Sequence, residues 1–211
     1  ERCLIKLPPQ LDPKDVAPYA DAGLTAYRAA RKASEILRPG MTAVTLGFGG
    51  LGHIAAQVLR TLCAATIIVV DTSVQALALA EQMLFEHRVL GDEGAVDEIQ
   101  RLTGGGANAV IDFVGEQGTP ELAMKMLRKG GTYFVIGYGG VVRVPTIDMV
   151  ADEFNIVGNL VGNYTELSEL MILAGQGKVQ LATRIYPLDQ VNEAMHDLID
   201  GQIPGRGVLV P

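Results

Sequence analysis

The sequence predicts an α/β protein in which helices cover both faces of a mostly parallel sheet. Runs of β-branched and aliphatic residues alternate with helix-length amphipathic segments along most of the chain. The run Ile67-Ile68-Val69-Val70 is apolar without interruption, which is typical of a strand buried on both faces and therefore parallel. The 25 glycines and the low aromatic content of 5% suit a sheet with tight turns at its strand ends.

Six strands and four crossover helices are predicted in the central part of the chain. Right-handed βαβ crossovers would arrange these strands as a doubly wound sheet of order 3-2-1-4-5-6. The predicted strands are residues 42–46, 66–70, 88–90, 109–114, 132–136 and 155–158. The predicted helices between them are residues 50–61, 73–84, 95–102 and 119–128.

The two flanks of this central unit have a different character. Residues 1–20 contain four prolines and no periodic pattern, and a helix is predicted over 20–36, ended by Arg38-Pro39-Gly40. After residue 162 we expect a helix near 165–174, a strand at 183–186, a helix at 188–199 and a strand at 208–210. The sequence thus predicts three parts: a lead-in (1–19), a central α/β domain (20–182) and a return segment (183–211).

Composition excludes several classes of partner. The net charge of −7 and the lack of any Lys/Arg run argue against nucleic acid and anionic lipid. No apolar stretch is long enough for a transmembrane helix, and the N-terminus lacks the pattern of a signal peptide. Cys3 and Cys63 are most simply isolated reduced thiols, so we expect a cytoplasmic protein. Because the chain opens without Met, we also expect it to be a fragment.

A G-x-G-x-x-G motif directly follows the first predicted strand and opens a helix: Gly47-Phe48-Gly49-Gly50-Leu51-Gly52. Gly47 would permit the tight turn, Gly49 would let backbone approach a pyrophosphate, and Gly52 would allow close packing of helix on strand. The helix N-terminus adds free N–H groups and a positive dipole end for the phosphates. The motif alone is weak evidence, because a glycine-rich turn with a purely structural role can have the same sequence pattern.

The residue after the second predicted strand favours a dinucleotide-binding turn over a purely structural one. Asp71 lies 19 residues past Gly52, where a carboxylate would accept hydrogen bonds from the adenosine ribose. That carboxylate would repel a 2′-phosphate, and residues 72–74 supply no Arg, so NAD is predicted over NADP. The alternative is that Asp71 is only a surface turn residue. Motif, context and acid together predict a Rossmann dinucleotide-binding domain.

Other candidates are weaker. Glycines end the fourth and fifth strands in Asp112-Phe113-Val114-Gly115 and Ile136-Gly137-Tyr138-Gly139, which suits a long ligand draped across the sheet but also suits plain turns. The histidines, His53, His87 and His196, do not cluster in the sequence, so none is predicted to bind metal. We expect His53 to pack against the sheet.

Taken together, these residues resemble the zinc-containing medium-chain dehydrogenases/reductases, specifically the bacterial NAD-dependent secondary alcohol dehydrogenases. The matching stretches are residues 20–28 (Ala-Asp-Ala-Gly-Leu-Thr-Ala-Tyr-Arg), 47–53, 112–115, 158–162 and 205–211, in order along nearly the whole chain.

The resemblance implies roles for individual residues. Asp21 falls where the family places a catalytic-zinc ligand, with a helix N-cap as the alternative. Thr25 would lie near the nicotinamide, and Arg206 would reach the dinucleotide near its pyrophosphate. The walls of the adenine and nicotinamide sites would include Phe113, Val114, Ile136, Gly137 and Leu160.

The resemblance also implies an activity and a larger enzyme. Zinc would polarise an alcohol oxygen and a hydride would pass to the nicotinamide, in a homodimer or homotetramer acting on an alcohol or ketone. The family's N-terminal catalytic domain, with the remaining zinc ligands, is not in this sequence, so the fragment should bind cofactor without turnover. One departure concerns Leu84-Phe85, where the family usually has Gly-Ala, which puts the shape of that turn in doubt.

Three alternative functions share part of this pattern, and Asp71 and the predicted parallel end of the sheet count against the first two. A zinc-free quinone reductase of the same superfamily would prefer NADP and lack the acid at Asp71. A methyl-donor-dependent transferase would end its sheet on an antiparallel hairpin. A non-catalytic NAD-binding or assembly module would use residues 157–161 as an edge that pairs with another subunit.

Overall fold

A computed structural model describes residues 4–211, so Cys3 lies outside the described part. The six strands of the central sheet run parallel in the order β3-β2-β1-β4-β5-β6, which confirms the predicted doubly wound fold. In chain order they are β1 (Thr42–Leu46), β2 (Thr66–Asp71), β3 (His87–Leu90), β4 (Ala107–Asp112), β5 (Leu127–Val135) and β6 (Asn155–Gly158).

Helices cover both faces of this sheet. Along β1 the side chains alternate, so that Ala43 faces a core shared with α2, α3 and α8, while Val44 faces a core shared with α5 and α6. The helices are α1 (Pro13–Val16), α2 (Ala22–Ile36), α3 (Gly52–Leu62), α4 (Val74–Gln82), α5 (Ala95–Thr103), α6 (Thr119–Met126), α7 (Thr146–Asp152), α8 (Tyr164–Gly175) and α9 (Val191–Ile199).

Some predicted boundaries are wrong. Strand β4 was expected over 109–114 but ends at Asp112, and α6 was expected to reach 128 but ends at Met126. The chain enters β5 already at Leu127, which pairs with Ala107 across a register irregularity. Apolar residues at this junction fit either a helix or a strand, so periodicity could not locate the change.

Two helices were not predicted at all. Helix α1 lies in the lead-in, where Asp12 caps it by accepting a hydrogen bond from the Lys14 amide and Pro13 occupies its first turn. A 3-10 helix (Ala17–Ala20) continues it. Helix α7 has only seven residues and none is buried, with Ile147 and Val150 69% and 74% exposed, so it is too short for periodicity to identify.

The turn at Leu84 ends α4 although its left-handed residue is not a glycine. Leu84 takes a left-handed φ of 61°, its amide donates to the Glu81 carbonyl, and the Phe85 amide donates to the Ala80 carbonyl. These two bonds form the Schellman ending of α4. Phe85 is then buried with its ring edge-on to Phe48, at 5.5 Å between centroids.

The return segment forms a separate small sheet. Strands β7 (Thr183–Pro187) and β8 (Arg206–Val210) pair in parallel and are joined through a 3-10 turn (Leu188–Gln190) and α9. The division of the chain into three parts stays a prediction. Within residues 4–211, the helices are too short or too polar for any of them to cross a membrane.

Candidate cofactor-binding site

The glycine-rich turn between β1 and α3 brings the helix close to the strand. Gly47 has a φ of +87° and donates its amide to the Val70 carbonyl at 2.8 Å. A Cβ at Gly52 would collide with the Gly47 carbonyl, so the first turn of α3 can lie against the turn only because Gly52 has no side chain. The last glycine of the motif is therefore required by the close packing of α3 on the turn.

The outer side of the turn is open to a ligand. Gly49 is exposed, and a Cβ built there meets nothing within 4 Å. Within residues 4–211, the amides of Gly49, Gly50 and Leu51 have no acceptor. Free amides at the start of a helix fit the oxygens of a diphosphate, with the helix dipole oriented in the favourable direction.

A basic side chain reaches the same turn from the return segment. Arg206, the first residue of β8, crosses directly over Gly50, where an added Cβ would lie 2.7 Å from the Arg206 Cδ. The carboxyl end of β1, the N-terminus of α3 and one guanidinium thus meet at one place, which suits an anionic ligand.

Asp71 ends β2 beside the turn. Its Oδ2 accepts a hydrogen bond from the Phe48 amide at 2.6 Å, and its Oδ1 accepts one from the Ser73 amide at 2.8 Å. Each carboxylate oxygen retains a further lone pair for a ribose hydroxyl. A pocket of about 400 Å³ adjoins Asp71, and its described lining, Phe48, Gly49, Asp71, Ser73, Gln75, Ala76, Leu79 and residues 201–205, contains no cationic side chain.

A larger cleft of about 820 Å³ opens at the carboxyl ends of the strands. It collects residues that are far apart in the sequence, as the doubly wound topology requires of a ligand crevice. Eight of the predicted site residues line it: Asp21, Thr25, Leu51, Phe113, Val114, Ile136, Gly137 and Leu160. Gly47, Asp71 and Val114 line a further pocket of about 160 Å³ on the other side of the turn.

The turn after β4 is held by the buried carboxylate of Asp112, and the turn after β5 by the Asp112 backbone carbonyl, which accepts the Ile136 and Gly137 amides. Asp112 accepts hydrogen bonds from the Val114 and Gly115 amides at 2.8 and 2.9 Å and from the Tyr133 hydroxyl at 2.8 Å. Burial, and then the neighbouring Asp112, raises the pKa of Tyr133, so the phenol stays a donor. Gly115 and Gly137 lie backbone to backbone, and a Cβ on either would collide with the other's turn.

Asp21 precedes α2 at the mouth of the large cleft and is exposed. Its carbonyl accepts the Thr25 amide, but its side chain makes no capping hydrogen bond, so the N-cap alternative is wrong for the carboxylate. No group of three or more His, Cys, Asp or Glu within the described range could hold a metal ion. Residues 4–211 supply one candidate ligand, the Asp21 carboxylate. A catalytic zinc needs three protein ligands, so these residues do not form a zinc site by themselves.

Two buried polar residues have hydrogen-bond partners that the sequence does not reveal. His53 is fully buried and hydrogen-bonded at both ring nitrogens, which is more than the expected packing against the sheet. Glu166 is 2% exposed and accepts hydrogen bonds from Arg28 and Arg31. The spacing of Asn163 and Glu166 as a capping box is visible in the sequence, but the arginines come from α2, far away along the chain.

Comparison with known proteins identifies the family. The sequence model of the zinc-binding dehydrogenase family matches residues 50–175, which is more than half of the chain. The chain belongs to the zinc-binding dehydrogenase family. The resemblance drawn from the sequence is thereby confirmed.

Individual relatives of this family agree. An NAD-dependent alcohol dehydrogenase from Sulfurisphaera tokodaii is 36% identical over 96% of the chain and 59% of its own length. The crystal structure of an alcohol dehydrogenase from Aeropyrum pernix superposes with a TM-score of 0.92 and 43% identity, covering 98% of the chain and 61% of that structure. Acetophenone reductase from Geotrichum candidum, solved in complex with NAD, gives a TM-score of 0.84 at 25% identity, over 98% of the chain and 58% of its own. The chain thus spans about three fifths of the length of the proteins it matches.

Proposed function

We propose that the chain binds NAD along the carboxyl edge of its sheet. The observation that carries the proposal is the convergence at one turn of free helix-start amides at Gly49–Leu51, the Arg206 guanidinium and the Asp71 carboxylate. In this arrangement the amides and Arg206 bind the diphosphate, and Asp71 accepts from the adenosine ribose. The large cleft, with Thr25, Phe113, Val114, Ile136, Gly137 and Leu160 in its wall, takes the nicotinamide end.

We further propose the reaction of the longer enzyme to which this chain belongs: hydride transfer between an alcohol, of the secondary class, and NAD. NAD supplies the hydride chemistry when it is bound. The described residues bind and orient it, and their apolar cleft excludes water from one side of the ring. Asp21 would contribute one ligand to a zinc ion whose other ligands lie outside the described residues.

Cofactor titration tests the first proposal. NAD and NADP are titrated separately into the 211-residue chain by calorimetry. We expect saturable NAD binding and weaker NADP binding, because Asp71 would repel a 2′-phosphate and no cation lines the described adjoining pocket. Equal or tighter binding of NADP would reject the assignment of Asp71 and favour the zinc-free quinone reductases.

An Asp21 variant of the longer enzyme tests the metal assignment. Because the carboxylate makes no capping bond, Asp21→Asn should leave stability unchanged. Zinc content and turnover should both fall, because the anionic ligand is lost. Normal zinc content with normal turnover would remove Asp21 from the metal site.

Strand β6, at the edge of the sheet, bears on two further hypotheses. It pairs with β5 in parallel, unlike the antiparallel end expected of a methyl-donor-dependent transferase, so that function is less well supported. A homodimer or homotetramer is proposed because the continuation of this edge strand carries Leu160, 84% exposed. The molecular mass in solution tests this assembly. A cytoplasmic location stays a prediction.

A further inference from the structure

His53 lies in the first turn of α3, directly beneath the glycine-rich turn, and is 0% exposed. Its Nδ1 is 2.6 Å from the Gly49 carbonyl oxygen, and its Nε2 is 3.2 Å from the Ala182 amide nitrogen. Because a backbone amide only donates, Nε2 must be the acceptor and carries no proton. The neutral ring therefore keeps its proton on Nδ1 and donates it to Gly49.

The hydrogen-bonded path continues from Ala182 to Arg206. The Ala182 carbonyl accepts the Arg206 amide at 2.9 Å. Gly205, with a φ of +81°, lets the chain approach so closely that a Cβ there would collide with the Ala182 carbonyl. The side chain of Arg206 then crosses over Gly50. The path leaves the glycine-rich turn at Gly49 and returns to it at Gly50.

A second side chain on the same face of α3 reinforces this contact. Gln57, one helical turn after His53, donates to the Gln180 carbonyl at 2.8 Å and accepts the Gln180 amide at 2.9 Å. Residues 180 and 182 are therefore both held by polar side chains of α3. An apolar side chain at position 53 would fill the space but could not accept the Ala182 amide.

We infer that His53 is a positioning residue that sets where Arg206 crosses the turn, and through Arg206 sets the affinity for the diphosphate of a dinucleotide. This inference rests on the proposed function, since the diphosphate belongs to the proposed cofactor. His53 itself is fully buried beneath the turn, so it presents no surface to a ligand.

Two amide variants separate the two hydrogen bonds of the ring. The side-chain oxygen of His53→Gln reaches the place of Nε2 and can accept the Ala182 amide. The amide of His53→Asn reaches only the place of Nδ1, where it can donate to Gly49 but cannot accept from Ala182. Both variants replace the ring by a smaller polar group, and Asn is one methylene shorter than Gln. The double variant with Arg206→Met therefore serves as the control for loss of packing.

Binding of NAD and of ADP-ribose is measured by calorimetry for both variants, for Arg206→Met and for the combination of His53→Asn with Arg206→Met. We expect His53→Asn to weaken both ligands about tenfold, equivalent to about 1.4 kcal/mol, with His53→Gln near wild type. In the Arg206→Met background, His53→Asn should cause no further loss. Equal losses in the Asn and Gln variants, or additive losses with Arg206→Met, would overturn the inference.

Amide hydrogen exchange gives a measurement that needs no ligand. Faster exchange at the Ala182 and Arg206 amides in His53→Asn than in His53→Gln is the expected result. Unchanged exchange at both amides would overturn the positioning role. A wild-type chain that binds neither NAD nor ADP-ribose would reject the proposed function, and the exchange rates would still decide whether His53 positions Arg206.

Discussion

The Asp71 carboxylate accepts a 2.6 Å hydrogen bond from the Phe48 amide and so ties the end of β2 to the glycine-rich turn after β1. The two residues are 23 positions apart in the chain. They are neighbours at the carboxyl ends of the strands, because β1 and β2 pair in parallel. Asp71 consequently shapes the turn as well as offering an acceptor to a ribose. A variant that tests the second role has to preserve the first.

Asp71→Asn keeps the bond to the turn, because its amide oxygen can still accept the Phe48 amide, although the amide nitrogen in place of Oδ1 cannot accept the Ser73 amide. We expect NAD to bind about tenfold more weakly and the gap to NADP to narrow, since the negative charge facing the 2′ position is removed. Calorimetric titration of both dinucleotides measures the gap. Asp71→Ser, which is too short to reach Phe48, should in addition lower stability. An unchanged preference in Asp71→Asn would assign Asp71 to the turn alone.

Two glycines of the motif should respond differently to substitution. Gly49→Val places its side chain in the open space proposed for the diphosphate, so NAD affinity should fall at least about tenfold with little change in thermal stability. Gly52→Ala is the matched control, because its Cβ would collide with the Gly47 carbonyl and destabilise the fold by about 1–3 kcal/mol. Calorimetry and thermal unfolding separate the two effects. Normal NAD binding by a folded Gly49→Val chain would reduce the motif to a structural turn.

Leu84, which does not line the cleft, is a position where a substitution should raise stability. It is 81% exposed and held at a φ of 61°, where a leucine is strained and a glycine is not. Leu84→Gly should raise the free energy of unfolding by about 1 kcal/mol, measured by urea denaturation, because the left-handed strain is removed. Leu84→Ala keeps the strain and should show no gain. Cofactor affinity should be unchanged in both.

Glu166 should matter for the nicotinamide end of the ligand only. It accepts the Asn163 amide at 2.9 Å and the Arg28 guanidinium at 2.8 Å, and so holds the chain that follows the cleft-lining residues 158–161. Because Arg28 and Arg31 are partly exposed, we expect Glu166→Gln to cost about 1–2 kcal/mol of stability, less than a fully buried pair.

Comparing NAD with ADP-ribose distinguishes a local effect of Glu166 on the cleft from a general loss of stability. NAD affinity should fall in Glu166→Gln, whereas ADP-ribose, which lacks the nicotinamide, should bind as it does to the wild-type chain. Both ligands are titrated at a temperature where the variant is fully folded. Equal weakening of the two would contradict a local effect on the cleft.

His53 gives a pH dependence whose sign is fixed. Burial, with a further contribution from the charge of Arg206, lowers the pKa of His53 below its ordinary value of 6.5, despite the hydrogen bond to Gly49. The unfolded chain therefore binds more protons than the folded chain as pH falls below 6.5, and the free energy of unfolding should decrease there. Urea denaturation at about pH 7.5 and about pH 5.5 measures the loss, and His53→Gln should reduce it.

Glu166 acts in a lower pH range. Burial alone would raise the pKa of its carboxyl, but hydrogen bonds from Arg28, the Asn163 amide and Arg31 outweigh burial and lower it below the ordinary 4.5. Its contribution to stability is therefore complete above 4.5 and is lost as pH falls through the folded-state value. A stability loss confined to pH below 4.5, with none between 6.5 and about 5, would contradict the assignment to His53.

The sequence by itself determined the sheet, its strand order and the place of the glycine-rich turn. Alternating apolar strands and amphipathic helices leave few topologies, because crossovers are right-handed and both faces of a parallel sheet must be covered. The position of Asp71 at the end of β2 and the glycine pattern of residues 47–52 are local in the chain, so they could be recognised without coordinates. Element ends such as Leu127 were misplaced, because apolar residues at a helix–strand junction fit either period.

Only the tertiary structure decided which polar groups are partners. His53 is buried as expected, and it also accepts the amide of Ala182, 129 residues away. Asp21 was given an N-cap alternative from its position before a helix, yet its side chain makes no hydrogen bond to that helix. Such pairings depend on how the return segment and α2 pack against the sheet, and a buried acceptor takes whichever donor that packing brings within about 3 Å.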